Sequence, residues 1–153
     1  MEWFPYLDDV PPVDRAAVAK MQSEFGISLP EKYVEDLIAH PGEAPLDATI
    51  AVGRGEAPFG PLLYIGGRFE DLNYRFSVEG GLEAIEDWRG AQPKEEIDFW
   101  PFASDYGSGY FCFASLDRGD GKIVFLHLER EPDDERASLS VADSYDQLMK
   151  ALR

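Results

Sequence analysis

Tyr110-Phe111-Cys112-Phe113-Ala114-Ser115-Leu116 runs into Asp117-Arg118-Gly119-Asp120-Gly121 and then into Lys122-Ile123-Val124-Phe125-Leu126-His127-Leu128. Two β-prone runs separated by a turn of Asp and Gly residues predict a hairpin. On the first strand Tyr110, Cys112, Ala114 and Leu116 face one way, and Phe111 and Phe113 the other. On the second, Ile123 and Phe125 oppose Val124, Leu126 and Leu128. Both faces are apolar, so the hairpin belongs at the centre of a sheet covered on both sides.

Outward from this hairpin, Phe99 to Ala103 predicts a further strand, interrupted at Pro101. Residues 129–136 form a charged loop, and Asp143 or Ser144 caps a last helix whose stripe is Tyr145, Leu148, Met149 and Leu152. Gln147 follows Ser144 at capping-box spacing. Toward the N-terminus, Asp14 caps a helix to about Phe25, with Ala17, Val18, Met21 and Phe25 on one face and Gly26 as its stop. A second helix spans about Pro30 to Ala39, with Ser28 and Glu31 in capping-box spacing. Thr49 to Val52, Leu62 to Ile65 and Leu72 to Val78 read as strands. Leu82, Ile85 and Trp88 predict a short helix closed by Gly90, and residues 1–12 read as an arm on the surface. The order predicts an α+β fold, a mostly antiparallel twisted sheet with helices packed at its N- and C-terminal ends, in one domain over 1–153.

Composition narrows the function classes. The net charge is −16, from 30 acidic and 14 basic side chains. Residues 1–76 carry 13 acids and 6 bases, and residues 77–153 carry 17 and 8, so the charge belongs to the whole domain and not to a tail. Such a field repels nucleic acid and anionic membranes and attracts basic partners, although solubility alone also accounts for it. The start Met1-Glu2-Trp3-Phe4-Pro5 has no signal-peptide pattern, and no apolar run approaches the ~18 residues of a membrane span, so a cytoplasmic location is expected. With Cys112 as the one cysteine, an intrachain disulfide is impossible.

A search for chemistry finds no constellation. The two histidines, His40 and His127, lie at a predicted helix end and late in a predicted strand. Cys112 sits between Phe111 and Phe113, an environment for an inert thiol. Asp117 to Gly121 lacks the acid spacing and terminal Glu of a calcium loop, and Gly53, Gly55 and Gly60 lack the end of a phosphate loop. Paired acids such as Glu70-Asp71, Glu86-Asp87 and Glu95-Glu96 are expected by chance among so many carboxylates. The expectation is a protein without catalytic, metal-binding or cofactor-binding residues that works by contact; an enzyme with an unusual carboxylate site is the competing reading.

Several motifs occur together in order. Phe99-Trp100-Pro101-Phe102-Ala103-Ser104-Asp105-Tyr106-Gly107-Ser108-Gly109-Tyr110-Phe111-Cys112-Phe113 resembles a stretch typical of the SUKH superfamily. Gly121 to Glu129, Ser144-Tyr145-Asp146, and Leu29-Pro30-Glu31-Lys32-Tyr33 are similar to its later strand, its last helix start and its "LP-x-x-Y" helix opening. The sequence differs at His40-Pro41-Gly42-Glu43, where Asn-Gly-Gly is common, and at Tyr106 and Tyr110. The resemblance implies an α+β fold without catalytic residues. It implies for bacterial members an immunity protein that neutralises a cognate toxin, often a nuclease, and for fungal members regulation of cell-wall synthesis through protein contacts. A bacterial immunity protein with a basic toxin partner is therefore the leading expectation; a non-catalytic regulatory or scaffold module is the alternative. Candidate contacts with the partner are the acids Glu95, Glu96, Asp98, Asp133, Asp134 and Glu135 and the aromatics Tyr106 and Tyr110, with a core role open for Tyr110.

Overall fold

A computed structural model describes residues 1–90, 99–114 and 121–153. The chain opens with β1 (Trp3–Pro5), then α1 (Arg15–Phe25) and α2 (Glu31–Ala39). Three short strands follow: β2 (Glu43–Pro45), β3 (Thr49–Val52) and β4 (Gly55–Pro58). A 3-10 turn at Tyr74–Phe76 leads into α3 (Val78–Arg89). Then come β5 (Phe99–Ser104), β6 (Gly109–Ala114), β7 (Ile123–His127) and β8 (Ser138–Ala142), and α4 (Tyr145–Ala151) closes the fold. The α+β expectation holds. Among the described residues, no helix is long and apolar enough to cross a membrane.

The last four strands form an antiparallel sheet in the order β5-β6-β7-β8. The predicted hairpin is its centre: Tyr110 pairs with Leu126 and Phe111 with Phe125. Its turn, 115–120, lies outside the described residues. Pro101 breaks the β5 ladder as expected, by a register shift between Pro101 and Ala103 that leaves Phe102 as the extra residue. β1 pairs with β2, and β3 with β4, as two small antiparallel ribbons.

Residues 1–12 are more structured than a surface arm, since Trp3–Pro5 pairs with Glu43–Pro45 and Leu7 is buried. Leu62 to Ile65 makes no named strand, although it lies along the edge of β5. Leu63 N donates to Phe102 O at 2.9 Å, Ser104 N to Pro61 O at 3.2 Å and Gly60 N to Ser104 O at 2.7 Å. Pro61 lacks an amide and cannot continue the ladder. Leu72 to Val78 is not a strand either. Ser77 accepts from Gly80 N at 3.0 Å and starts α3 at Val78, four residues before Leu82, so the chain coils where a strand was expected. β2, β4 and β8 were not foreseen. The proposed Ser28 cap is absent: Pro30 occupies the cap position of α2, with no side-chain hydrogen bond. Asp14 and Ser144 do cap α1 and α4, accepting from Ala17 N at 2.8 Å and Gln147 N at 3.1 Å.

The helices are joined to the sheet by aromatic rings. Tyr33 of α2 meets Phe102, Phe113 and Tyr145 edge-on at 5.6, 5.2 and 5.6 Å. Phe102 and Phe113 stack at 4.4 Å. On β5, Pro101 lies against Gly81 of α3, where a Cβ would meet its ring carbon at 2.9 Å.

Two buried hydroxyls in this cluster differ. Tyr145 donates to Asp36 Oδ2 at 2.8 Å, while Lys32 holds Asp36 Oδ1 at 3.0 Å. Among the described residues Tyr33 Oη has no hydrogen-bond partner, and burial raises its pKa; Trp100 acts against that rise without reaching hydrogen-bond geometry. Tyr145→Phe strips a partner from a carboxylate that is 7% exposed, and should cost about 1–3 kcal/mol. Tyr33→Phe deprives no partner and should shift stability by less than about 1 kcal/mol. Urea unfolding of the two variants checks this contrast, and equal losses would contradict it.

Candidate partner-binding surface

Three segments converge at one end of β5 and β6: the N-terminal arm, residues 66–76, and the turn after β5. Tyr6 is the link, standing edge-on to Tyr106 at 4.9 Å and to Phe76 at 5.5 Å. Asn73 Nδ2 donates to Asp8 O at 3.3 Å. Phe69 meets the Tyr74 ring at 5.8 Å, and the Tyr74 hydroxyl donates to Glu83 at 2.7 Å.

Tyr106 sits in this surface under backbone constraint. Its φ is +71°, a left-handed conformation that costs a bulky residue about 1–2 kcal/mol. Neighbours hold it there. Ser104 Oγ accepts its amide at 3.0 Å, and Arg75 Nη2 donates to its carbonyl at 2.9 Å. Its ring lies over Gly60, where a Cβ would meet two ring carbons at 3.0 Å. Burial raises its pKa, with Tyr6 and Asp47 adding to the rise. Among the described residues, the other non-glycine positions at positive φ are Asp9 and Asp47. Asp9 follows the Asp8 carbonyl that holds Asn73, and Asp47 acts on Tyr106.

The loop below is latched. The Glu79 carboxylate accepts from Gly66 N at 2.8 Å and Gly67 N at 3.2 Å, and Asp71 accepts from Arg68 N at 2.8 Å. Gly67 must be glycine, since a Cβ there would collide with the Ser77 side chain. On this fixed loop Phe69 is 77% exposed and Leu72 is 99% exposed.

The sequence-derived candidates divide. Tyr106 is in the surface, half-buried. Tyr110 lies beneath it, 5% exposed, with its hydroxyl donated to Arg75 O at 2.7 Å; this is the core role. Asp133, Asp134 and Glu135 are in the loop between β7 and β8. There Asp134 is engaged by Arg136 and Arg130 at 3.4 and 3.5 Å, and hydrogen bonds from Arg136 lower its pKa. Glu95, Glu96 and Asp98 lie outside the described residues. Phe69, Leu72, Tyr74 and Tyr6 were missed. The strand reading of Leu72 to Val78 absorbed Leu72 and Tyr74, the arm reading absorbed Tyr6, and Phe69, just after Gly66-Gly67, was assigned to no element.

The cysteine and the two histidines are engaged in packing. Cys112 is fully buried, and burial raises its thiol pKa well above the ordinary value. His127 packs edge-on to Phe125 at 6.1 Å, and His40 stacks on Trp3 at 4.4 Å while meeting Glu43 at 3.2 Å. Among the described residues, no group of three or more His, Cys, Asp and Glu side chains is placed to hold a metal ion.

A family model described as SMI1 / KNR4 family (SUKH-1) matches residues 12–151. The chain belongs to that family. The match spans α1 to α4 and includes Phe69, Leu72 and Tyr106; Tyr6 and Asp8 precede it. Comparisons with curated proteins and with solved structures gave no significant match. SUKH-1 membership accounts for the motif order read from the sequence, from Leu29-Pro30 through Tyr145.

Tyr110 provides a pH test of this surface's foundation. Its hydroxyl is pushed up to about 12, by burial first, with Arg75 working in the opposite direction. A raised value favours the neutral phenol in the folded state. Its stabilisation is therefore fully present below the unfolded value near 10 and is lost as pH rises through about 12. In Tyr110→Phe, absorbance at 295 nm should show one fewer tyrosine ionising at the alkaline end. Stability at neutral pH should fall by about 1 kcal/mol as Arg75 O loses its donor. An unchanged alkaline titration would contradict the buried placement.

Proposed function

We propose that this protein is a bacterial immunity protein, which binds a cognate polymorphic toxin domain of basic, nuclease type in the cytoplasm and blocks it by contact, without catalysis. The observation that carries the reading is the charge of −16 spread over both halves of a folded SUKH-1 domain. A nuclease must present a basic groove to hold phosphates. An acidic domain that occupies this groove excludes the substrate, and its field steers the encounter.

Membership in the family is compatible with toxin immunity. The exposed aromatics of the arm and of residues 66–76 add the apolar anchors that a tight complex needs beyond charge.

Co-production with a toxin domain encoded beside this chain's gene, if one exists, tests the reading. Cells should grow with both proteins present and die with the toxin alone. In stopped-flow mixing, raising NaCl from about 50 to about 300 mM should slow association by about tenfold or more. Toxicity undiminished by excess protein would overturn the immunity reading in favour of a regulatory or scaffold role. Salt-independent association would overturn its electrostatic part.

A further inference from the structure

We infer that the partner docks on the face built by Tyr6, Phe69, Leu72, Tyr74 and Tyr106, and that its matching surface is basic around an apolar pocket. The inference rests on the immunity reading above and gives it a location.

Three observations converge on this face. The first is exposure without looseness. Phe69 at 77% and Leu72 at 99% are more exposed than the other large hydrophobic side chains described, yet Glu79 latches their loop through two backbone amides. Apolar side chains held out in water on a fixed loop lose little further freedom on binding, which is what an anchor requires. The second is strain. Tyr106 is held at positive φ by Ser104 and Arg75, and Asp47, also at positive φ, acts on its hydroxyl. Strain of this kind clusters at sites of recognition.

The third is charge. Asp8, Asp9, Glu70, Asp71 and Glu83 are exposed around the aromatics. Arg68 and Arg75, the latter held against the Tyr106 carbonyl and over the Phe76 ring at 4.4 Å, are the cations of this segment, and the five acids outnumber them. Acids around an apolar centre match a basic partner, with the rim governing encounter and the aromatic centre governing residence. The loop between β7 and β8 offers less, because Asp134 is already paired within it.

The test titrates a toxin domain encoded beside the gene onto wild type, Phe69→Ala, Leu72→Ala, the loop variants Asp133→Asn and Glu135→Gln, and the distant charge variants Glu24→Gln and Glu56→Gln. The two apolar side chains are exposed, so melting curves should match wild type. Each apolar truncation should weaken binding by about tenfold or more, chiefly through faster dissociation, and the distant variants should stay within about twofold. Wild type that binds while Phe69→Ala and Leu72→Ala bind equally well overturns the docking face and leaves the immunity reading standing. Wild type that does not bind overturns the immunity reading itself. A loss confined to Asp133→Asn and Glu135→Gln moves the interface to the β7–β8 loop. A concentration-dependent dimer in sedimentation velocity that Leu72→Asp abolishes assigns the face to a second copy of this chain, and overturns the inference as well.

Discussion

Phe102 stands at the bulge of β5, and the fold is organised around the position this gives its ring. The ring stacks on Phe113 of the next strand at 4.4 Å and receives the edges of Tyr33 from α2 and Tyr145 from α4. Two helices distant in sequence are thereby fixed to two adjacent strands. Truncating a ring so enclosed removes about 3–5 kcal/mol, a large share of the stability of a domain this size. The bulge has a second consequence at the far end of β5. Ser104, the last residue of that strand, is 1% exposed and turns its hydroxyl to the amide of Tyr106. The strand that centres the core thus ends by holding the strained tyrosine of the surface, and residues 60–63 along its edge place Gly60 under the ring.

The core was more legible in the sequence than the surface, for a physical reason. Tyr110 to Ala114 and Ile123 to His127 are apolar on both faces, and few environments besides a sheet centre accept such strands. Asp14 and Ser144 begin their helices by a local hydrogen bond that needs only a spacing. The errors fall where tertiary contact outweighs local pattern. Leu72, Tyr74, Phe76 and Val78 alternate like a strand, but Ser77 caps a helix in their midst and leaves Leu72 in solvent. β8 reads Ser-Leu-Ser-Val-Ala after a charged loop, a run whose extended form depends on β7 beside it. Phe69 could not be told from a core residue by composition, because an exposed and a buried phenylalanine look alike in sequence. Tyr110 shows the reverse: read as either a contact or a core residue, it lies in the core, donating its hydroxyl to Arg75 O.

On the proposed reading, SUKH-1 membership, the distributed charge and the aromatic face serve one mode of action, in which shape and field block the toxin and no bond is made or broken. Stoichiometry tests this most directly. Purified toxin domain at fixed concentration, well above the dissociation constant, is titrated with this protein while substrate cleavage is followed. Residual activity should fall linearly to background at one equivalent, and a half-equivalent should leave half the activity however long the mixture stands. Complete loss of toxin activity at a small fraction of an equivalent would show turnover, and would contradict action by contact.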